Sequence, residues 1–127
     1  MESYNKLVRD KIPAILDAKG VPYEKRVATP EEFKEELLKK LGEEMNELKE
    51  AIEDPEKQVE ELADVIEVLM ALKTIPGTED IPEVRETTEY VDFLKGLPEY
   101  RNVEEVRLRK REERGGFDDM LIVKGEK

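Results

Sequence analysis

TPEEFKEELLKKLGEEMNELKEAIEDPEKQVEELADVIEVLMALK, residues 29–73, carries two helix-start signals in series. Thr29-Pro30-Glu31-Glu32 supplies an N-cap, a proline at the first helical position and a glutamate at the third, which together make a capping box. Helix propensity stays high from Pro30 to Glu53, about 36 Å of helix at 1.5 Å per residue. Asp54-Pro55 then repeats the signal at once, so a second helix is expected from Pro55 to about Lys73. A connection this short makes the two helices antiparallel neighbours. In such a hairpin, residues whose numbers share a constant sum lie at equal height. With the turn centred on Asp54, Glu44 stands level with Asp64 and Glu47 with Glu61. Each of the pairs Glu44/Glu47 and Glu61/Asp64 is spaced i, i+3 and shares a helix face, so four carboxylates fall within about one helical turn of one another.

Two patterns separate these four acids from ordinary surface charge. Phe33, Leu37, Leu41, Leu48 and Ala51 form an apolar stripe on the first helix, and Glu44 interrupts it. The second helix is apolar nearly all round, from Val59 and Leu62 to Leu69 and Leu72. Its one polar band is Glu60, Glu61, Asp64 and Glu67, which must meet solvent, a cation or another chain. Carboxylates crowded in a partly dry place need neutralisation. The chain has no histidine, which argues against a Glu-x-x-His iron site. A hard divalent cation with oxygen ligands answers the need, and Mg²⁺ suits a shell shared with phosphate oxygens and water; Mn²⁺ is a substitute. Glu44, Glu47, Glu61 and Asp64 are therefore the expected metal ligands.

The rest of the chain narrows the setting. Its 127 residues are read as one domain, large enough for a core without disulfides or a structural metal. With no Cys and no His, a thiolate zinc site, a cysteine nucleophile and a histidine base are all excluded. No apolar run reaches the ~20 residues that span a bilayer, and MESYNKLVRDK has no signal-peptide h-region, so a cytoplasmic protein is expected. A net charge of −11 argues against nucleic acid or an anionic membrane as partner. Charged residues at 43%, rich in Lys and Glu, suggest the ion-pair-laced surface of a thermophile protein.

Outside the hairpin, Asp10 is read as the cap of a short helix with Pro13 in its first turn and Gly20 as its stop. VPYEKRVA (21–28) reads as extended or loop. TIPGTEDIP (74–82) reads as a linker, 83–95 as a helix, and 103–114 as a charged helix stopped by Gly115-Gly116. MLIV (120–123) reads as a short strand or a docked tail. The expected class is all-α.

Glu44-Met-Asn-Glu47 followed by Glu61-Leu-Ala-Asp64 on the next helix resembles the motif of the MazG-like all-α nucleoside triphosphate pyrophosphohydrolases. YNKLVRDKIP (4–13) and KREERGGFDDMLI (110–122) are similar to the flanking signatures of the house-cleaning, phosphoribosyl-ATP pyrophosphohydrolase-like branch. Residues 74–102 read as an insertion relative to that family. The resemblance implies cleavage of a nucleoside triphosphate between its α- and β-phosphates, giving a monophosphate and pyrophosphate, with more than one Mg²⁺ expected. It also implies that Glu43 or Glu47 takes the proton of the attacking water. Lys6, Arg9, Lys110 and Arg114 match the terminal signatures and are the expected phosphate contacts. Tyr4, Tyr23 and Phe117 are open either to base stacking or to packing.

A hairpin with an apolar back calls for more cover than its short flanking helices offer. A homodimer or dimer of dimers is therefore expected, with two hairpins completing a four-helix bundle. Two rival functions fit the same residues: a non-catalytic helical interaction module, and a regulatory protein that binds metal or nucleotide without turnover.

Overall fold

The computed structural model describes residues 3–126. Three prolines open its longer helices. Helix α2 spans Pro30–Glu50, α3 Pro55–Lys73 and α4 Pro82–Lys95; α1 covers Ile12–Ala18 and α5 Val103–Arg114. Short 3₁₀ turns at Thr78–Asp80 and Pro98–Tyr100 flank α4. The capping box is complete. Thr29 Oγ1 accepts from the Glu32 amide at 3.2 Å, and Glu32 Oε1 accepts from the Thr29 amide at 3.4 Å. Asp54 Oδ1 accepts from the Lys57 amide at 3.2 Å. Caps of this kind stabilise a helix by about 1 kcal/mol each.

The α2–α3 hairpin forms as its signals require, with α2 ending at Glu50 rather than Glu53 and a tight turn leading to the Asp54 cap. Leu37 and Leu41 on α2 meet Leu62, Val65, Ile66 and Leu69 on α3 in one core. Each such side chain contributes about 1.5–3 kcal/mol on burial. The core continues into Val84, Val91 and Leu94 of α4, Val103 of α5, and Leu7 and Ile122 of the sheet. Helix α3 is thus enclosed by its own chain, so the exposed large apolar side chains lie mostly elsewhere, at Val27, Ile52, Phe93 and Leu108.

The molecule is mostly helical, and the segments read as extended at 21–28 and as a short strand at 120–123 join Ser3–Leu7 in a three-stranded antiparallel sheet. Strand β1 (Ser3–Leu7) and β2 (Glu24–Val27) both pair with β3 (Leu121–Glu126), which lies between them. The register sets Lys6 against Val123 and Leu7 against Ile122. The two ends of the chain are thereby joined, and the segment after β1 is laid against the hairpin.

One cap is corrected. The residue preceding α1 is Lys11, with no side-chain cap, and Asp10 is used differently. Its two carboxylate oxygens accept the backbone amides of Asp118 and Asp119 at 3.1 and 3.0 Å. Burial raises the Asp10 pKa, and those two amide donors oppose the rise. The Asp10 amide in turn donates to Gly116 O at 2.8 Å. Gly115 makes this approach possible. At φ +82° a Cβ there would sit 3.0 Å from both Asp10 Cβ and the Lys11 nitrogen, so a glycine is required twice over.

Candidate functional site

The hairpin turn sets the register of α2 against α3, and that register assembles the acids. Glu44, Glu61 and Asp64 each offer a carboxylate oxygen, and these oxygens lie within 4.8 Å of one another. Glu47 borders the group: its carboxylate lies against Glu61, as the equal-height pairing anticipates. Glu47 is nevertheless exposed, and it does not join the tight set of three. Glu43 is also exposed on α2.

The electrostatics of the three are unfavourable as they stand. Burial, followed by the charges of Asp64 and Glu47, raises the Glu44 pKa to about 8, with Lys40 partly offsetting the rise. Burial, then the hydrogen bond and charge of Glu47, raises Glu61 to about 7. Among the described residues, Glu44 Oε2 and Glu61 Oε2 are buried with no hydrogen-bond partner. A buried carboxylate oxygen without a donor is costly. Two of them, aimed into one cluster beside a third carboxylate, fit a divalent cation that takes only oxygen ligands.

Asp64 differs from its neighbours in having cationic partners. Arg9 Nη2 donates to Asp64 Oδ1 and Lys110 Nζ to Asp64 Oδ2, both at 2.9 Å. The Lys110 side chain is almost wholly enclosed, and its ammonium also donates to the carbonyl of Glu60 at 3.2 Å. Arg9 comes from the loop after β1, where its second nitrogen reaches Gly115 O at 3.4 Å. Its guanidinium lies 5.9 Å from the centre of the Phe117 ring. Burial lowers the Arg9 pKa, against the opposing pull of Asp64 and Glu67. An arginine remains charged under such a shift.

A cavity of about 200 Å³ opens directly on this cluster. Its walls carry Glu44 and Asp64 together with Lys6, Arg9, Lys40 and Arg114. Three of the four basic residues singled out from the chain ends are therefore on the wall of one cavity. Lys110 instead lies behind Asp64. Lys40 was not singled out in the sequence, although it stands one helical turn before Glu44 and that spacing was available.

A second charged layer was also missed. Glu67, 2% exposed, receives Arg107 at 3.1 Å and Arg111 at 2.6 Å. Arg109 reaches Glu60 at 3.0 Å. The stripe Arg107, Lys110, Arg111 on α5 thus meets the stripe Glu60, Asp64, Glu67 on α3. Stranding one member of a buried pair of this kind costs about 3–5 kcal/mol, which holds α5 in one position against the hairpin. Of the aromatic candidates, Phe117 is buried under Arg9, and the Tyr23 hydroxyl donates to Asp17 at 2.9 Å beside α1. Tyr4 stands on β1, with the Lys6 ammonium 5.9 Å from its ring centre.

Comparison with known proteins adds one finding. The family model of phosphoribosyl-ATP pyrophosphohydrolase matches residues 14–87, a span that contains the whole hairpin and all of its candidate carboxylates. No curated protein and no solved structure gives a significant match.

Proposed function

Because the chain belongs to the phosphoribosyl-ATP pyrophosphohydrolase family, within the MazG-like superfamily, and so is a hydrolase acting on acid anhydrides, we propose that it is a Mg²⁺-dependent nucleoside triphosphate pyrophosphohydrolase. Its substrates are non-standard nucleotides, which it converts with water to a monophosphate and pyrophosphate. The observation that carries this reading is the pair of unpartnered buried oxygens on Glu44 and Glu61, clustered with Asp64 beside a cavity that Glu44 and Asp64 line together with Arg9, Lys6 and Arg114.

Glu44, Glu61 and Asp64 would hold the cation, with Glu47 at the edge of the set. When bound, a divalent cation neutralises phosphate oxygens and lowers the pKa of a coordinated water. The chain supplies the rest. Arg9 and Arg114 offer forked donors to the phosphates, and Lys6 and Lys40 add point charges, which together offset the acidic field of the molecule. The oxygen of water bonds to phosphorus, the bond to the bridging oxygen between the α- and β-phosphates breaks, and pyrophosphate leaves with that oxygen. The water's proton passes to a carboxylate. Glu47, exposed and lying against Glu61, is better placed to take it than Glu43, for which no contact brings it to the cluster. Lys110, enclosed behind Asp64, orients that carboxylate and leaves the phosphates to the cavity wall.

The family's description favours phosphoribosyl-ATP as a second candidate substrate, through the same anhydride. Residues 4–13 and 110–122 resemble a branch that is both house-cleaning and phosphoribosyl-ATP pyrophosphohydrolase-like, and so fit either substrate. Chain association belongs to the same proposal: a homodimer or dimer of dimers would cover exposed Ile52, Phe93 and Leu108.

A panel of standard and modified nucleoside triphosphates together with phosphoribosyl-ATP, assayed for pyrophosphate with Mg²⁺ and with a chelator, tests the proposal. Equimolar monophosphate and pyrophosphate, formed only with Mg²⁺ or Mn²⁺, is the expected result. Orthophosphate as the product, or no turnover across the panel, would contradict it.

A further inference from the structure

The charged cavity has an apolar neighbour. A groove of about 310 Å³ lies between α1 and the outer face of the sheet, and Lys6, Val8 and Ile12 line both spaces. Its remaining walls are Tyr4, Leu16, Val21 and Val123, with Glu126 at one end. The first space holds the greater share of cations and carboxylates, the second is mostly aliphatic with one aromatic ring, and three residues are common to both.

The alternation of the strands explains this arrangement. Tyr4, Lys6 and Val8 share one face of β1 and its extension, and Val123 is paired with Lys6 in the ladder. The α1 side chains Ile12 and Leu16 cover part of that face. The Tyr4 ring lies over β3 at Gly125: a Cβ there would come within 2.6 Å of the Tyr4 hydroxyl oxygen and 2.8 Å of its Cζ. The ring thus occupies the space that a side chain at that position would fill.

We propose that this groove receives the nucleobase of the triphosphate whose phosphates enter the charged cavity, with the Tyr4 ring as stacking surface and Lys6 at the junction. The inference rests on the function proposed above, and extends it to a base subsite. The two spaces have the complementary characters of the two ends of a nucleotide, and together they reach the size of a small-molecule site, about 300–1,000 Å³. Adjacency across the shared residues Lys6, Val8 and Ile12 is what selects a base rather than an unrelated apolar ligand. An aliphatic groove with one aromatic ring grips a base by its faces, and stacking of that kind tolerates different bases. Few fixed donors or acceptors lie inside to read a Watson–Crick edge. Base tolerance of this sort suits an enzyme that acts on altered bases.

The test uses the full chain with Mg²⁺ and two kinds of probe. The α,β-methylene analogues of ATP and dUTP carry a base; inorganic tripolyphosphate does not. Calorimetric titration of wild type, Tyr4→Ala, Tyr4→Phe and Leu16→Gln gives the affinities, with melting curves to establish that each variant is folded. Tyr4→Ala is expected to weaken both nucleotide analogues about tenfold and to leave tripolyphosphate within about twofold. Tyr4→Phe should stay near wild type, and Leu16→Gln should shift affinity in the same direction as Tyr4→Ala. Unchanged nucleotide affinity in Tyr4→Ala and Leu16→Gln overturns the base subsite alone. Unchanged affinity with altered sedimentation would give the groove to a second copy of the chain, and also overturns it. Failure of wild type to bind even tripolyphosphate removes the proposed function and the subsite with it.

Discussion

Glu44→Gln is expected to abolish pyrophosphate release while raising the melting temperature of the metal-free protein. The two effects have one origin. Glu44 interrupts an apolar stripe, is held away from water, and faces Asp64, Glu47 and Glu61, with one oxygen lacking any donor. In the absence of a cation, its charge opposes folding. A neutral amide of nearly the same shape removes that opposition, and with it an oxygen that the proposed cation needs. Disturbing only the outer partners of a metal site costs about 10–100-fold, so losing a ligand should lower turnover by more than about a hundredfold. With chelator at pH 8.5, melting should rise by a few degrees. A purely structural carboxylate would lose stability on substitution, so a variant that is both less stable and fully active would contradict the assignment. The combination of greater stability and lost activity is the mark of a functional site under electrostatic strain.

The second large effect is a dependence of stability on pH that Mg²⁺ should cancel. Glu44 and Glu61 have folded-state pKa values of about 8 and about 7, above the ordinary glutamate value of 4.5. A carboxyl with a raised folded pKa holds its proton more tightly in the folded state. Its contribution is complete below the ordinary value, and is lost as pH rises through 7 and then 8. Metal-free protein should therefore melt progressively lower between pH 5 and pH 8.5. Asp10, its pKa raised by burial, acts in the same direction as the two glutamates. Glu32, held down by Arg26 and the Thr29 amide against some burial, loses its contribution only in acid. Tyr23 and Tyr100 are both raised above the ordinary tyrosine value, by burial first. Cation binding requires deprotonated ligands, so the stabilisation by millimolar Mg²⁺ should be larger at pH 8.5 than at pH 6. Melting curves across this range, with and without Mg²⁺, check the sign. A metal-free protein that becomes more stable towards pH 8.5 would contradict it.

Local chemistry made the hairpin legible. Thr29-Pro30 and Asp54-Pro55 place two helix starts, the turn fixes the register, and the register brings Glu44, Glu61 and Asp64 together. No fold-level information is needed for that step. The sheet was hidden because its pairings are the most distant in the chain, Ser3 with Glu126, and because SYNKL and EKRV lack the alternation of a half-buried strand. All four residues of β2 are exposed, so burial leaves no periodic trace there. The misplaced Asp10 cap has the same cause, since its actual partners are amides at the other end of the chain.

The cationic half of the site was legible only in outline. Lys6, Arg9 and Arg114 reach the cavity wall because the sheet carries the N-terminal segment onto the hairpin and α5 lies along α3. That Asp64 would hold both Arg9 and Lys110 depends on the same distant contacts. Glu67 shows the limit most clearly. By spacing it belongs to the polar band of α3, whereas its burial is settled by Arg107 and Arg111, some forty positions away. The complementary stripes on α3 and α5 were present in the sequence, but their mutual orientation depends on where α4 returns the chain. Residues 82–95 pack Val84, Val91 and Leu94 into the core, and so carry the chain from the end of α3 to the start of α5.

The proposal that the carboxylate cluster is a cation site has one most direct measurement: anomalous diffraction at the manganese edge from crystals grown with Mn²⁺. A peak within bonding distance of carboxylate oxygens of Glu44, Glu61 and Asp64 is the predicted result. No peak at the cluster, with Asp64 still bound by Arg9 and Lys110 alone, would contradict it.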